Sequence, residues 1–252
     1  MEKDLGKRWL KEYKGKFKRS WEKSKEAYLK TDVLLGISKL SKNKCEAWLN
    51  KKLNGFIYPG INVKQINSVK DYKSKNQIVY LGRLNPFKNI DLIFTALSKI
   101  KNPPNLILIG KGEDKEKLTK LAEKLNITSE FVGNIDELTK IKIIKQSKFM
   151  VFPTSHEGFG MPPMEALDCE ITCICSDKPI FKEVYEDKVE YFKENDVDDL
   201  AKKIKFLMNN PEYRKKRGKE GKKYVKKKFS WKKSAEKIER ILKDHLENEN
   251  QT

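Results

Sequence analysis

Between residues 77 and 176 the chain repeats one pattern: a short uninterrupted apolar run, a turn, then a charged stretch with helical periodicity. The runs are I-V-Y-L (78 to 81), N-L-I-L-I (105 to 109), E-F-V (130 to 132), F-M-V-F (149 to 152) and I-T-C-I-C (171 to 175), and segments 90 to 101, 114 to 125 and 136 to 147 between them are helix-like. A strand with one wet face alternates polar and apolar residues, so continuous runs belong to strands covered on both faces. Strands separated by helices pair in parallel. The fold class read from this pattern is therefore α/β, a Rossmann-like doubly wound parallel sheet. At 252 residues the chain can hold one large domain and part of another.

Beyond a weaker run V-E-Y-F (189 to 192), helices are predicted over 197 to 208, 211 to 227 and 231 to 246. Pro211 suits a first helical position and Ser230 a cap, while the tail E-N-E-N-Q-T is expected to fray. At the other end, Leu5, Trp9, Tyr13, Phe17 and Trp21 recur four apart among lysines, predicting a basic amphipathic helix over residues 4 to 30. The run V-L-L-G-I-S (33 to 38), a helix-like segment around Cys45 to Lys51 and a strand G-F-I-Y before Pro59-Gly60 end another α/β unit. The expected division is 1–62 as an N-terminal α/β portion, 63–76 as a polar linker, 77–230 as the main domain and 231–252 as a C-terminal helix and tail.

The net charge of +19 draws phosphates, acidic lipids, nucleic acids or acidic proteins without choosing among them. No recognised nucleic-acid motif accompanies it, so no specific nucleic-acid partner is expected. No apolar run approaches the roughly 18 residues of a membrane span, and the opening M-E-K-D-L-G-K-R-W lacks the core of a signal peptide. A cytoplasmic location is expected, with peripheral contact to an anionic membrane, or a partner subunit, as alternatives for the first helix. Cys45, Cys169, Cys173 and Cys175 form no C-x-x-C pair and the histidines are His156 and His245. Reduced, buried thiols are expected rather than a zinc site.

Chemistry concentrates where the strands end. After F-M-V-F-P come Ser155-His156-Glu157, then Gly158-Phe159-Gly160-Met161 and a helix starting at Pro162-Pro163. Strand, glycine turn and helix form an anion-binding geometry, because free amides and the helix dipole face the incoming ligand. Glu157 leaves the strand and Glu165 is expected in the first helical turn, so both carboxylates would flank one crevice. From the residues alone, Glu165 as a dipole complement and Glu157 as a solvated loop residue remain open. A second loop, Gly82-Arg83-Leu84-Asn85-Pro86-Phe87-Lys88-Asn89, follows the first strand and offers two cations to phosphate oxygens. The turn I-G-K-G-E (109 to 113) lacks the full G-x-G-x-x-G spacing, and G-x-x-x-x-G-K-[ST] does not occur, which disfavours a dinucleotide dehydrogenase or a P-loop enzyme.

In order along the chain, T-D-V-L-L-G-I-S, I-Y-P-G-I-N, Y-L-G-R-L-N-P-F-K-N-I-D, L-I-G-K-G-E, F-V-G-N-I, V-F-P-T-S-H-E-G-F-G-M-P-P-M-E-A-L, C-S-D-K-P-I-F-K-E-V and F-S-W-K-K-S-A resemble the family-four, or group 1, glycosyltransferases of the GT-B fold. That fold joins two Rossmann-like domains across a cleft. The resemblance implies a retaining transferase acting on a nucleoside-diphosphate sugar such as a GDP- or UDP-hexose, without a metal or other cofactor. By that likeness Gly82, Arg83 and Lys88 bind the donor diphosphate. Glu157 with the amides of Gly158, Phe159, Gly160 and Met161 holds sugar and phosphates, Glu165 grips the ribose, and backbone near Val132 and Ile135 meets the base. Glu157, Arg83 and Lys88 carry the catalysis, as grips and counter-charges rather than the acid and nucleophile of a glycoside hydrolase.

Two departures qualify the expected activity. Residues 1 to 62 resemble only the end of the family's N-terminal, acceptor-side domain, and Glu170 stands where relatives often carry glycine. The expected function is hexosyl transfer to a glycan, lipid-linked or protein acceptor, with an acceptor domain supplied by a partner subunit. The alternative is a noncatalytic nucleotide-sugar-binding or assembly module.

Overall fold

Six parallel strands carry the larger part of the chain, each emerging from one of the apolar runs. The structure is a computed structural model and describes residues 22–61, 66 and 72–249. Residues 4 to 21 of the expected amphipathic helix and most of the expected linker lie outside the described residues; 22–29 are helical. The chain divides into two units, residues 1–58 with 232–252 and residues 59–231.

In the smaller unit, β1 (Leu35–Gly36) and β2 (Gly55–Phe56) pair in parallel around α1 (Lys39–Leu49). Ser38 starts α1 with a reciprocal cap: its side chain accepts from the Ser41 amide and the Ser41 side chain accepts from its own, both at 2.9 Å. The apolar run before α1 thus contributes only a two-residue strand and a cap. The long C-terminal helix, Trp231–Glu249, falls almost wholly in this unit. Ser234 Oγ donates to the Tyr58 carbonyl at 2.5 Å, and Lys237 lies 4.1 Å from the centre of the Phe56 ring.

In the larger unit, β3 (Gln77–Leu81), β4 (Asn105–Ile109), β5 (Ser129–Gly133), β6 (Met150–Phe152), β7 (Cys173–Ser176) and β8 (Glu190–Phe192) stand in the order β5-β4-β3-β6-β7-β8. Every pairing is parallel. The connecting helices are α2 (Ile90–Ser98), α3 (Lys115–Lys124), α4 (Glu137–Gln146), α5 (Met161–Asp168) and α6 (Pro179–Tyr185), followed by α7 (Val197–Asn209) and α8 (Pro211–Lys228). The central strands are dry on both faces: Ile78, Val79, Tyr80, Met150, Val151, Phe152, Cys173, Ile174 and Cys175 are all fully buried. This is why their sequence shows no alternation. Helices are more selective. In α7 only Leu200, Ala201, Ile204 and Leu207 are buried, one stripe at helical spacing.

Counted within this unit, the strand order is 3-2-1-4-5-6, with the reversal of winding between β3 and β6. A crevice opens beyond the carboxyl ends of strands at such a point, because the loops after the two strands lead to opposite faces of the sheet. The fold thereby brings together the two loops that carry the charged motifs. Three cysteines, Cys169, Cys173 and Cys175, are buried free thiols, and burial pushes Cys169 up to about 12. Cys45 differs from expectation in being half-buried.

Candidate functional site

The loop after β3 and the loop after β6 are interlocked through one carbonyl. Phe87 sits in a single 3-10 turn, Pro86–Lys88, and its oxygen accepts from the Ser155 amide at 2.9 Å and from the Thr154 and Ser155 hydroxyls at 3.1 Å each. Asn89 Nδ2 donates to the Pro153 carbonyl at 3.2 Å, and the Phe87 and His156 rings meet at 5.5 Å. These bonds carry Lys88 to Glu157, with which it forms an ion pair. The two side chains are only 15% and 18% exposed, and the ammonium also lies 5.7 Å from the centre of the Phe152 ring.

Two buried tyrosines fix the loops from below. The Tyr80 hydroxyl donates to the Arg83 carbonyl at 2.8 Å, and the Tyr185 hydroxyl donates to the Gly160 carbonyl. Burial first, then the nearby Glu157 charge, raises the Tyr80 hydroxyl far above its ordinary value. Tyr185 is likewise raised by burial, so both remain donors. Gly160 precedes α5 with φ +89, and a Cβ there would come 2.6 Å from Phe181. Only glycine takes that turn without strain.

The start of α5 is more sparing with amides than its sequence suggests. Met161 is its first residue, and Pro162 and Pro163 have no N–H, so the amides a ligand can meet are chiefly those at and before Met161. Glu165 is the fifth helical residue, one turn further in than expected, and no acidic residue occupies the first turn. Its role as a simple dipole complement is weakened accordingly, since that effect falls off within the first turn.

Beside these loops lies a cleft of about 510 Å³ at the carboxyl ends of β3, β4 and β5. Of the expected site residues, Gly82, Arg83 and Ile135 line it, together with Lys111, Glu137 and Lys140. Arg83 is exposed there. Lys88, Val132, Glu157, Gly158, Phe159, Gly160, Met161 and Glu165 are not among its walls. Glu165 nevertheless reaches the cleft through a partner: Lys140 Nζ stands 2.5 Å from Glu165 Oε2 and 2.9 Å from Glu137 Oε1. Burial pushes the Glu165 carboxyl up, with Lys140 opposing it. Burial also pulls the Lys140 ammonium down, but the Glu165 and Glu137 carboxylates outweigh that and leave it above its ordinary value. Two carboxylates and one ammonium make a net negative cluster, which holds its protons tightly.

Sequence reasoning missed Lys140, Glu137, Lys111, Tyr80 and Tyr185. The turn after β4 offered a signal, since Gly110 and Gly112 approach the β3 loop closely: Cβ atoms there would lie 2.1 Å from the Gly82 oxygen and 2.0 Å from the Leu84 oxygen. Among the described residues, no three His, Cys, Asp or Glu side chains are grouped as metal ligands. No described helix is long and apolar enough to cross a membrane.

Comparison with known proteins agrees with this geometry. An uncharacterized glycosyltransferase of Methanocaldococcus jannaschii is 30% identical over 250 residues, an alignment covering 92% of this chain and 64% of the relative. A second from the same organism is 29% identical, covering 87% of this chain and 62% of the relative. The chain thus spans less than two thirds of the length of these relatives. In fold it resembles a Staphylococcus aureus TarM mutant crystallised with fondaparinux, alpha-GlcNAc-glycerol and UDP, with TM-score 0.78 and 20% identity over 88% of this chain and 46% of that one. The larger unit is one Rossmann-like half of a GT-B fold. Residues 63–224 match the family model for glycosyl transferases group 1, and the chain belongs to that family.

Proposed function

We propose that the chain is the donor-binding part of a retaining hexosyltransferase, which takes a hexose from a nucleoside-diphosphate sugar and passes it to a glycan, lipid-linked or protein acceptor. The observation that carries this reading is the meeting, at the reversal point of the sheet, of an exposed arginine, the Lys88–Glu157 pair and the Glu165-bearing helix around one cleft. A nucleoside fits the part walled by Gly82, Gly110, Gly133 and Ile135. A diphosphate then extends toward Arg83 and Lys88.

Lys88 in this arrangement is committed to Glu157. A diphosphate supplies a stronger counter-charge, so donor binding frees Glu157 to accept from sugar hydroxyls. As the sugar–phosphate bond breaks, negative charge grows on the departing diphosphate. Arg83, Lys88 and the amides up to Met161 face that charge, and such prearranged groups lower the barrier without reorganising. In this reading the cations take the place of a metal, and the acceptor is held by a domain outside the described residues or by a partner subunit. The UDP bound in the TarM structure favours a nucleoside diphosphate as the ligand class.

Purified chain incubated with UDP- and GDP-hexoses and candidate acceptors is expected to release nucleoside diphosphate, and Arg83→Ala to abolish donor binding. Failure of every donor to bind overturns the reading. The shorter span relative to its relatives favours a second one, a noncatalytic nucleotide-sugar-binding module. Donor binding by calorimetry with no transfer, alone or with any partner, would select it.

A further inference from the structure

Lys140 is the one cation that touches both the cleft and the helix bearing Glu165. It projects from the first turn of α4, is itself 16% exposed, and spans two carboxylates: Glu137 of its own helix, which is 42% exposed, and Glu165 of α5, which is 24% exposed. The exposure of Glu165 is not shared evenly. Its Oε2 is fully buried, so the accessible part of the side chain belongs to its other atoms, including Oε1. One oxygen is thus anchored and the other is left for a ligand.

We propose that Lys140 is a positioning residue for the donor: it anchors Oε2 of Glu165 so that Oε1 meets the vicinal hydroxyls of a ribose, making the cleft selective for ribonucleotides over 2′-deoxyribonucleotides. The inference rests on the donor reading of the cleft and adds to it a residue and a discrimination. Chemically, a buried carboxylate with no counter-ion takes up a proton or turns toward water. Either change removes the fixed acceptor that a diol needs. Glu137 makes the dependence sharper. Without Lys140, two carboxylates would share the site with no cation between them, and their repulsion would drive Glu165 out of place or into its protonated form. Lysine suits the role because three protons on one nitrogen serve Glu137 and Glu165 at once and leave one facing the cleft.

The test is calorimetric titration of the full chain with UDP and GDP, and with the 2′-deoxy form of whichever binds. A hydrogen bond to a charged group distinguishes its partner by about tenfold or more, so the unaltered chain is expected to favour the ribonucleotide by that factor. Lys140→Met should bring the two affinities within about twofold of one another, as should Glu165→Gln, and the double variant should be no worse than either single one, because both act through the same contact. Lys140→Arg keeps the cation and should retain most of the preference. Near-equal loss of both nucleotides, with the ratio kept, would show a merely structural lysine and overturn the proposal. So would an undiminished preference in Lys140→Met. Absence of binding by the unaltered chain overturns the donor reading itself and the proposal with it. A Lys140→Met protein that fails to fold transfers the decision to Lys140→Arg and Glu165→Gln: preference lost in Glu165→Gln and kept in Lys140→Arg supports the proposal, while preference kept in Glu165→Gln overturns it.

Discussion

Replacing Lys88 by methionine separates what the loop contributes to stability from what it contributes to binding. Methionine keeps the length and the apolar stem that lies near Phe152, so the change is confined to the charge. Its partner Glu157 is 18% exposed and would remain as a carboxylate without its ammonium, above the buried Tyr80 and Tyr185 hydroxyls. Removing one member of a fully buried pair costs about 3–5 kcal/mol. Because both side chains retain a little contact with water, the expected loss is smaller, about 2 kcal/mol. For a unit of this size that corresponds to a fall in Tm of roughly 4–8 °C. Adding Glu157→Gln removes the orphaned charge, so the double variant should regain most of the lost Tm. Nucleoside-diphosphate binding should stay weak in both, since the cation that meets the phosphate is gone. The assay is thermal unfolding followed by circular dichroism, with and without nucleotide. A double variant as unstable as Lys88→Met would refute the ion-pair argument, and undiminished nucleotide binding in either would refute the phosphate role.

Three further outcomes follow from individual contacts. Gly110→Ala places a Cβ 2.1 Å from the Gly82 carbonyl oxygen at φ +133, and should cost about 2–3 kcal/mol in urea unfolding; an unchanged midpoint would show that the two loops separate freely. Tyr185→Phe leaves the buried Gly160 carbonyl without its donor, and is expected to cost about 1–3 kcal/mol and to raise the donor KM, both measured against the unaltered chain. Asp168 is fully buried, neither of its carboxylate oxygens has a hydrogen-bond partner, and burial, opposed by Lys226, Lys222 and Lys145, pushes its carboxyl up. A carboxyl raised in the fold makes stability fall as pH climbs from the ordinary carboxylate value through the raised one, and then level off. Asp168→Asn should abolish that fall and add about 1 kcal/mol at neutral pH; a lower Tm at pH 7 would show instead that attraction to the lysines outweighs burial.

Much of the candidate site was legible before any coordinates because its residues are local to recognisable elements. Arg83, Lys88 and Glu157 follow apolar runs directly, and a loop at the carboxyl end of a parallel strand lies at the ligand edge of its sheet whatever the neighbouring strands are. Gly160 likewise declared itself between a strand and a proline-led helix start. Lys140 did not. In a chain with 55 lysines and arginines, a lysine three residues after a glutamate on a helix reads as a surface pair, and nothing local shows that a second carboxylate comes from α5. Tyr80 and Tyr185 were hidden for the opposite reason, since a tyrosine in an apolar run looks like core until its hydroxyl finds a loop carbonyl.

The division of labour has a physical basis. Continuous apolar runs fixed the class of sheet, because a residue's need to leave water depends on its own chemistry. Strand order depends on which runs pair across long stretches of chain, and that leaves no local mark. Only the tertiary structure placed β3 beside β6, and so Lys88 against Glu157, 69 positions away. It alone joined residues 232–252 to residues 1–58 in one unit, apart from the sheet that precedes them. The same helical sequence could have packed on either unit, and the contacts it makes at Tyr58 and Phe56 decided the matter.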